Sequence, residues 1–573
     1  MDINKILAKI HMLEWYWELK KGDNMNKKWW MDEVIYQIYP KSFKDTNNDG
    51  IGDIKGIIEK LDYLQDLGIT MIWLCPIFKS PMVDNGYDVS DYFTINEEFG
   101  SNEDFELLIK EAKKKGIKIM LDLVLNHTSN QHEWFKDALE NEDSPYRDYY
   151  IFKKSKDIPN NWRSVFGGSV WEKVPGRDEY YFHCFAKQQP DLNWENPKLR
   201  QEMYKIVNYW IDKGIYSFRL DAINHLKKDQ SFKSLKADGV DGLVSCTKTA
   251  RNQEGLDFFL EELKENTFSR KDCMTVGETA GLNYNQLASY IGEDGHFSLI
   301  FDFKPADFDI ESGNEWFKRL DWEVKDYYDI SMTSQENIQK YGFYANFIEN
   351  HDQPRATTKI LRSYHENKEA VKMLAAYYYF QRGVNFIYQG QELGMTNFNR
   401  DSIDEFDDIS SIDQYHRSIE EGFSEKQALN IVNLRSRDNA RIPFLWDGSK
   451  YFGFSDAKPW LKVSEENKDR NAQSQKSEDS IFEFYKKIIA FKKDRKYKEI
   501  LTYGKIRSLS CEDNILSYKR YYNSEEIICL FNFNDTKKDI KIDKSYELIF
   551  TSQKEFNKDK LNPFQAVLFY KEG

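Results

Sequence analysis

The stretch SFRLDAINHL, residues 217–226, places an arginine and an aspartate inside what otherwise reads as a buried β-strand. Phe218, Leu220, Ala222 and Ile223 need a core, yet Arg219 and Asp221 sit among them. Charged side chains remain inside a protein only when paired or hydrogen-bonded. The two residues are therefore either a structural ion pair or the end of a strand that opens on a reactive site. The rest of the chain has to decide.

Short apolar runs alternate with amphipathic segments. Strands are expected at VIYQIYP (34–40), MIWLCPI (71–77), KIMLDLVL (118–125), SFRLDA (217–222), MTVGET (274–279), LIFDF (299–303), YANFIEN (344–350) and VNFIYQG (384–390). Between them IKGIIEKLDYLQDLG, NEDFELLIKEAKKKG and NPKLRQEMYKIVNYWIDKG show helical spacing, and each closes on a glycine, as helix C-termini often do. SIFEFYKKIIAFKKDRK (480–496) supplies a last helix. Eight such β-then-α units are what a (β/α)8 TIM barrel requires. No glycine-rich dinucleotide loop follows the first strand, which argues against an open doubly wound sheet.

Two segments interrupt the alternation. Residues 128–195, after the third strand, are rich in Trp, Tyr, Asp and Asn and too long for an ordinary βα loop, so a small inserted domain is expected there. A second insertion spans about 392–460. The barrel then comprises residues 25–127 and 196–504, followed by an all-β domain over 505–573, expected as a β-sandwich from its short strands and Asn/Asp turns. Residues 1–24 read as an extension upstream of a start at Met25, because Lys21-Gly22-Asp23-Asn24 can be encoded as a bacterial ribosome-binding site.

Composition narrows the class. The 573 residues, 40% hydrophobic and 15% aromatic, suit a globular protein of two or three domains. A net charge of −14 argues against nucleic acid or an anionic membrane as partner. No run is long and apolar enough to span a bilayer. Six scattered cysteines without a CxxC pair suit reduced thiols and a cytoplasmic location. The expected state is a monomer or weak homo-oligomer.

In a (β/α)8 barrel the reactive groups gather at the C-terminal strand ends. Asp122 and NHT (126–128) follow the third strand, Arg219 and Asp221 end the fourth, Glu278 ends the fifth, and ENHDQPR (349–355) follows the seventh. One buried charge is most simply an ion pair. Several converging on one face point instead to catalysis, with Asp221 at its centre.

The motifs DLVLNHTS, SFRLDAIN, VGETAG and ENHDQPR, in this order, resemble the signature regions of the α-amylase superfamily of glycoside hydrolases. QPDLNW (189–194) and SRDNAR (436–441) resemble its oligo-1,6-glucosidase and α-glucosidase branch. The resemblance implies a retaining mechanism on a small oligosaccharide, with Asp221 as nucleophile, Glu278 as acid/base and Asp352 as the third carboxylate. It further implies that Arg219 keeps Asp221 ionised and that His127 and His351 bond sugar hydroxyls. Tyr87 would stack on the terminal glucose, while Asp84 and Arg437 clamp its far hydroxyls and enforce exo-action. Ala222, the residue after the nucleophile, is expected to favour α-1,4 over α-1,6 links, because a small side chain leaves room for the leaving sugar. The expected activity is that of an α-1,4-preferring α-glucosidase, with an oligo-1,6-glucosidase or trehalose-6-phosphate hydrolase as alternatives.

DTNNDGIGD (45–53) begins like a calcium loop, but Gly56 stands where an EF-hand needs glutamate. It resembles the branch's single calcium loop, which implies Ca2+ held by Asp45, Asn47, Asp49, the Ile51 carbonyl and Asp53; a metal-free Asx turn is the competing reading. Gln391, Ile442, Leu445 and Ser217 depart from the branch pattern, and the changes at 442 and 445 place the leaving-sugar subsite in question. Sucrose isomerase is disfavoured because its additional arginines are not evident. A transporter heavy subunit on the same fold is disfavoured by the complete set of acids.

Overall fold

The computed structural model describes residues 26–311, 315–463 and 465–573; the expectation for residues 1–24 lies outside them. Eight parallel strands close into a barrel: β1 (Val34–Ile38), β2 (Met71–Leu74), β3 (Lys118–Val124), β4 (Ser217–Asp221), β5 (Met274–Glu278), β6 (Leu299–Phe301), β7 (Phe343–Asn346) and β8 (Val384–Tyr388). Each pairs with its neighbours in sequence, and β8 returns to β1 with Asn385 opposite Val34. All eight fall on the apolar runs read from the sequence.

Alternation along the strands sorts the side chains into two cores. Ile35, Trp73, Met120, Val276, Phe301 and Phe386 pack together inside the barrel. Phe218 and Leu220 face outward, into the larger core shared with the helices. Arg219 is in register with Asp122 on β3 and with Val276 on β5, so it occupies the inner row. Asp221, two residues on, sits above it at the rim.

The helices begin and end as their sequences suggest. Asn102–Lys114 starts with a capping box between Ser101 and Asp104. Pro197–Asp212 is capped by Asn196 and carries proline in its first turn. IKGIIEKLDYLQDLG forms two short helices, Ile54–Glu59 and Leu61–Leu67, and Gly68 closes the second with a left-handed φ of 95°. The segment after β8 is helical, with Ile409–Glu420 and Glu425–Arg435, and Ile481–Lys492 completes the ring.

Within residues 128–195 a three-stranded antiparallel sheet runs in the order Phe152–Lys154, Glu179–Phe182, Trp171–Lys173. Its core is not self-contained. Trp162, Trp171 and Phe182 pack with Val244, Cys246 and Ala250, which belong to the loop after β4. Val244 pairs with Trp162, and Arg163 donates to both Asp241 carboxylate oxygens at 2.6 and 2.7 Å. The sequence reading drew the lobe from one insertion, whereas its packing uses two loops.

At the C-terminus, five antiparallel strands form a sheet, and a two-stranded ribbon, Lys538–Asp539 with Lys560–Leu561, accompanies it. Tyr518 and Arg520 dock this sheet on the barrel by donating to the carbonyls of Tyr377 and Phe380 at 2.9 and 2.7 Å. No helix among the described residues is long and apolar enough to cross a membrane.

Candidate active site

The ends of β3, β4 and β5 bring three carboxylates to one guanidinium. Arg219 Nη1 donates to Asp122 Oδ1 and Asp221 Oδ1, each at 2.8 Å, and Nη2 donates to Glu278 Oε2 at 2.7 Å. The Ala222 amide adds a second donor to Glu278 Oε2 at 2.9 Å. It can do so because Ala222 turns into the left-handed region, φ 42° and ψ 31°, where the strand breaks into a helical turn. Side chains other than glycine seldom adopt this conformation, and such strain collects at functional sites.

One cation among three acids alters the expected charge state. Burial pushes the Asp221 carboxyl well above its usual range; Arg219 opposes this, and Glu278 and Asp122 add to it. Burial also pushes Asp122 up to about 6. Arg219 is the group that works toward keeping Asp221 ionised, against burial and the neighbouring acids. Arg219 is the one cation that bonds all three of these carboxylates.

Asp352 has the opposite environment. Although partly buried, it is held well below the usual carboxylate range by His351, Arg437 and Arg441. Arg441 Nη2 donates to its Oδ1 at 2.6 Å and Arg437 Nη1 at 3.3 Å. His351 is fully buried, and burial lowers its pKa to about 3, so the ring is neutral. Gln37 donates to His351 Nδ1 at 2.7 Å, leaving Nε2–H to face Tyr87 Oη at 2.5 Å and Asp352 Oδ2 at 3.2 Å. Tyr87 in turn donates to Asp122 Oδ2 at 3.1 Å.

These groups border a cavity of about 840 Å³. Asp84, Tyr87, His127, Asp221, Ala222, Glu278, Asp352 and Arg437 line it, whereas Arg219 and His351 lie behind the wall and act through the groups in front of them. At the buried end Arg437 Nη2 donates to Asp84 Oδ1 at 3.3 Å and to Asp408 Oδ1 at 2.6 Å. Gln189 donates to Asp84 Oδ2 and to His127 Nε2, both at 3.1 Å, and burial lowers the pKa of His127 to about 4. The other end opens beside the exposed Leu320.

Sequence reading missed several contributors. Gln189 and Arg441 lie within motifs already singled out, QPDLNW and SRDNAR, and could have been found there. Asp408 had no such signal, and Phe166, whose ring lies 5.2 Å from the Arg437 guanidinium, comes from the inserted lobe. Ile442 and Leu445 are fully buried in the main core and do not line the cavity, so they leave the leaving-sugar side untouched. Gln391 is likewise internal, donating to the hydroxyls of Tyr378 and Tyr485 at 2.8 and 2.9 Å.

The loop at 45–53 offers only oxygen donors, a chemistry that suits calcium. Their arrangement here is that of an Asx-rich turn. Asp45 accepts from the amides of Asn47, Asn48 and Gly50, Asp49 from that of Ile51, and Asp53 from those of Thr46 and Gly56. Among the described residues no three His, Cys, Asp or Glu side chains gather as a metal cage.

A parallel barrel with acidic groups clustered at its C-terminal rim has the build of a barrel enzyme, and the comparisons identify the family. The alpha-amylase catalytic-domain model matches residues 37–504. An oligo-1,6-glucosidase of Bacillus cereus is 39% identical over 568 residues, covering 95% of this chain and all of that protein. A trehalose-6-phosphate hydrolase of Bacillus subtilis is 39% identical over 516 residues, covering 89% and 90%. Among solved structures, isomaltulose synthase from Erwinia rhapontici superposes with a TM-score of 0.89 at 36% identity over 96% of this chain and all of its own. The chain belongs to the alpha-amylase family and is a glycoside hydrolase.

Two outcomes follow from this geometry. Asp221→Asn and Glu278→Gln should each lower turnover by about two or more orders of magnitude with unchanged circular dichroism, since the resemblance assigns them a covalent and a proton-transfer role; near wild-type rates in either would refute the assignment. Burial pushes Asp84 up to about 6 against the pull of Arg437. It therefore gains a proton, and loses its charge toward Arg437, as pH falls through that value. The acidic limb of kcat/KM should carry an inflection near there that Asp84→Asn abolishes, and an unshifted inflection in the variant would contradict this.

Proposed function

We propose that the protein is a retaining, exo-acting α-glucosidase that releases terminal glucose from short oligosaccharides. The observation that carries this reading is the single guanidinium joining Asp221 and Glu278 beside a cavity that ends at Asp84 and Arg437. Retention needs two carboxyl groups about 5–5.5 Å apart, and sharing one guanidinium suits so short a span. In this reading Asp221 attacks the anomeric carbon as a carboxylate while Glu278 protonates the leaving oxygen. Glu278 then activates water against the glucosyl-enzyme. Asp352, kept ionised, accepts from sugar hydroxyls and stabilises the oxocarbenium-like transition state. The closed end admits a chain terminus and excludes a polymer interior.

On linkage two observations differ. Curated relatives carry the name oligo-1,6-glucosidase, which favours α-1,6 cleavage. Ala222 favours α-1,4 through its small volume, but its left-handed backbone supplies a separate reason for a residue without β-branching. The α-1,4 preference gains nothing from the comparisons, so α-1,6 leads. We expect kcat/KM for isomaltose to exceed that for maltose. Maltose ahead by about tenfold, the scale of one methylene-sized steric effect, would reinstate the α-1,4 reading, and hydrolysis of neither would overturn both.

Calcium in the 45–53 loop rests on residue spacing and on the resemblance to the branch's calcium loop. An ion bound only by the folded state raises stability by mass action. Exhaustive chelation should therefore lower Tm more than turnover, and elemental analysis should find one calcium per chain. An unchanged Tm with no metal found would leave the loop a metal-free turn.

A further inference from the structure

Four permanently or strongly cationic side chains line the cavity, and three are neutralised. Arg437 meets Asp84, Asp352 and Asp408. Arg435 meets Asp307 and Asp309. Lys304 lies 3.5 Å from Asp302 and donates to the Leu282 carbonyl at 2.8 Å. Arg251 is the exception: among the described residues its guanidinium has no carboxylate within ion-pair distance and no hydrogen-bond acceptor.

The position of Arg251 is nevertheless built. Asn252, its neighbour, donates from its amide to the Asn224 carbonyl at 2.9 Å and from its side chain to the Ala280 carbonyl at 3.1 Å. Asn224 Nδ2 donates to Ala280 O as well, at 2.7 Å. Arg251 is thus tied both to the turn after Asp221 and to the loop after Glu278. Gly281, with a left-handed φ of 73°, leaves room for it: a Cβ there would stand 2.8 Å from Arg251 Nη2. Burial lowers the Arg251 pKa, offset in part by the more distant Cys246 and Asp307. The adjacent His225 is neutral, its pKa lowered to about 3 by burial, and offers no countercharge.

A half-buried guanidinium is stabilised most by an anion in bidentate contact. The clamp of Asp84 and Arg437 marks the cavity's glucose end, so the loops after Asp221 and Glu278 border the leaving sugar. We propose that Arg251 is a specificity residue of the leaving-group subsite and recognises an acidic substituent, phosphate or carboxylate, on the sugar released from glucose. This rests on the α-glucosidase reading and names the aglycone class it favours.

Two matched pairs test it on the full-length enzyme: trehalose 6-phosphate against trehalose, and maltobionate against maltitol. Hydrolysis of 4-nitrophenyl α-glucoside is measured first. Failure there, and on every pair, removes the α-glucosidase reading itself. Given that activity, kcat/KM for at least one acidic member should exceed its neutral counterpart by about tenfold or more, the usual scale for a hydrogen bond to a charged group. Preference within the first pair alone identifies phosphate, and within the second alone carboxylate. Arg251→Gln should bring the ratio near parity, mainly through KM, while Arg251→Lys retains part of it. No preference for either acidic member, or a preference that survives Arg251→Gln, would overturn the proposal.

Discussion

The Arg219 guanidinium is the group on which the barrel's upper rim depends. It bonds Asp122, Asp221 and Glu278, which come from three adjacent strands, and it is almost wholly inaccessible to water. Carboxylates brought this close would repel one another, and apolar side chains such as Trp73 and Met120 pack in the interior below them. Removing one partner from such a buried charge group typically costs about 3–5 kcal/mol. Arg219 therefore has a structural and a chemical role at once. It lets the strand ends converge, and it favours the ionised form of Asp221 against the effect of burial.

Much of this was legible in the sequence because a barrel strand carries its instructions locally. Alternation in SFRLD assigns Phe218 and Leu220 to the outer core and Arg219 and Asp221 to the inner row, and the register opposite Asp122 confirms it. Glycine at the helix ends located the turns, as Gly68 and Gly214 show with φ of 95° each. What failed was any feature made by residues distant in sequence. Asp408 completes the Arg437 clamp from the second insertion, and nothing in its neighbourhood announces that role. The break at Lys60, which divides one periodic stretch into two helices, is also invisible to periodicity.

The reactive residues were more legible than their electrostatics. Asp221, Glu278 and Asp352 could be placed at strand ends, yet their unlike environments follow from partners counted in space. Asp352 has two arginines and a neutral histidine, whereas Asp221 shares one arginine with two other acids. Two similar carboxylates are thereby given dissimilar proton affinities by their neighbours alone. His351 illustrates the same limit. A histidine beside an aspartate suggests contact with a ligand, but its two nitrogens are committed to Gln37, Tyr87 and Asp352 behind the cavity wall.

The shared core between the inserted lobe and the loop after β4 bears on how this architecture diversifies. Trp162, Trp171 and Phe182 have no closed interior until Val244, Cys246 and Ala250 are added. The lobe roofing the cavity is therefore not a transplantable module: a graft of residues 128–195 alone would carry an open hydrophobic face. Exchange between homologues has to move both loops together, and the second of them begins a few residues beyond Asp221. Changes in the roof and changes beside Asp221 are thus inherited as one unit.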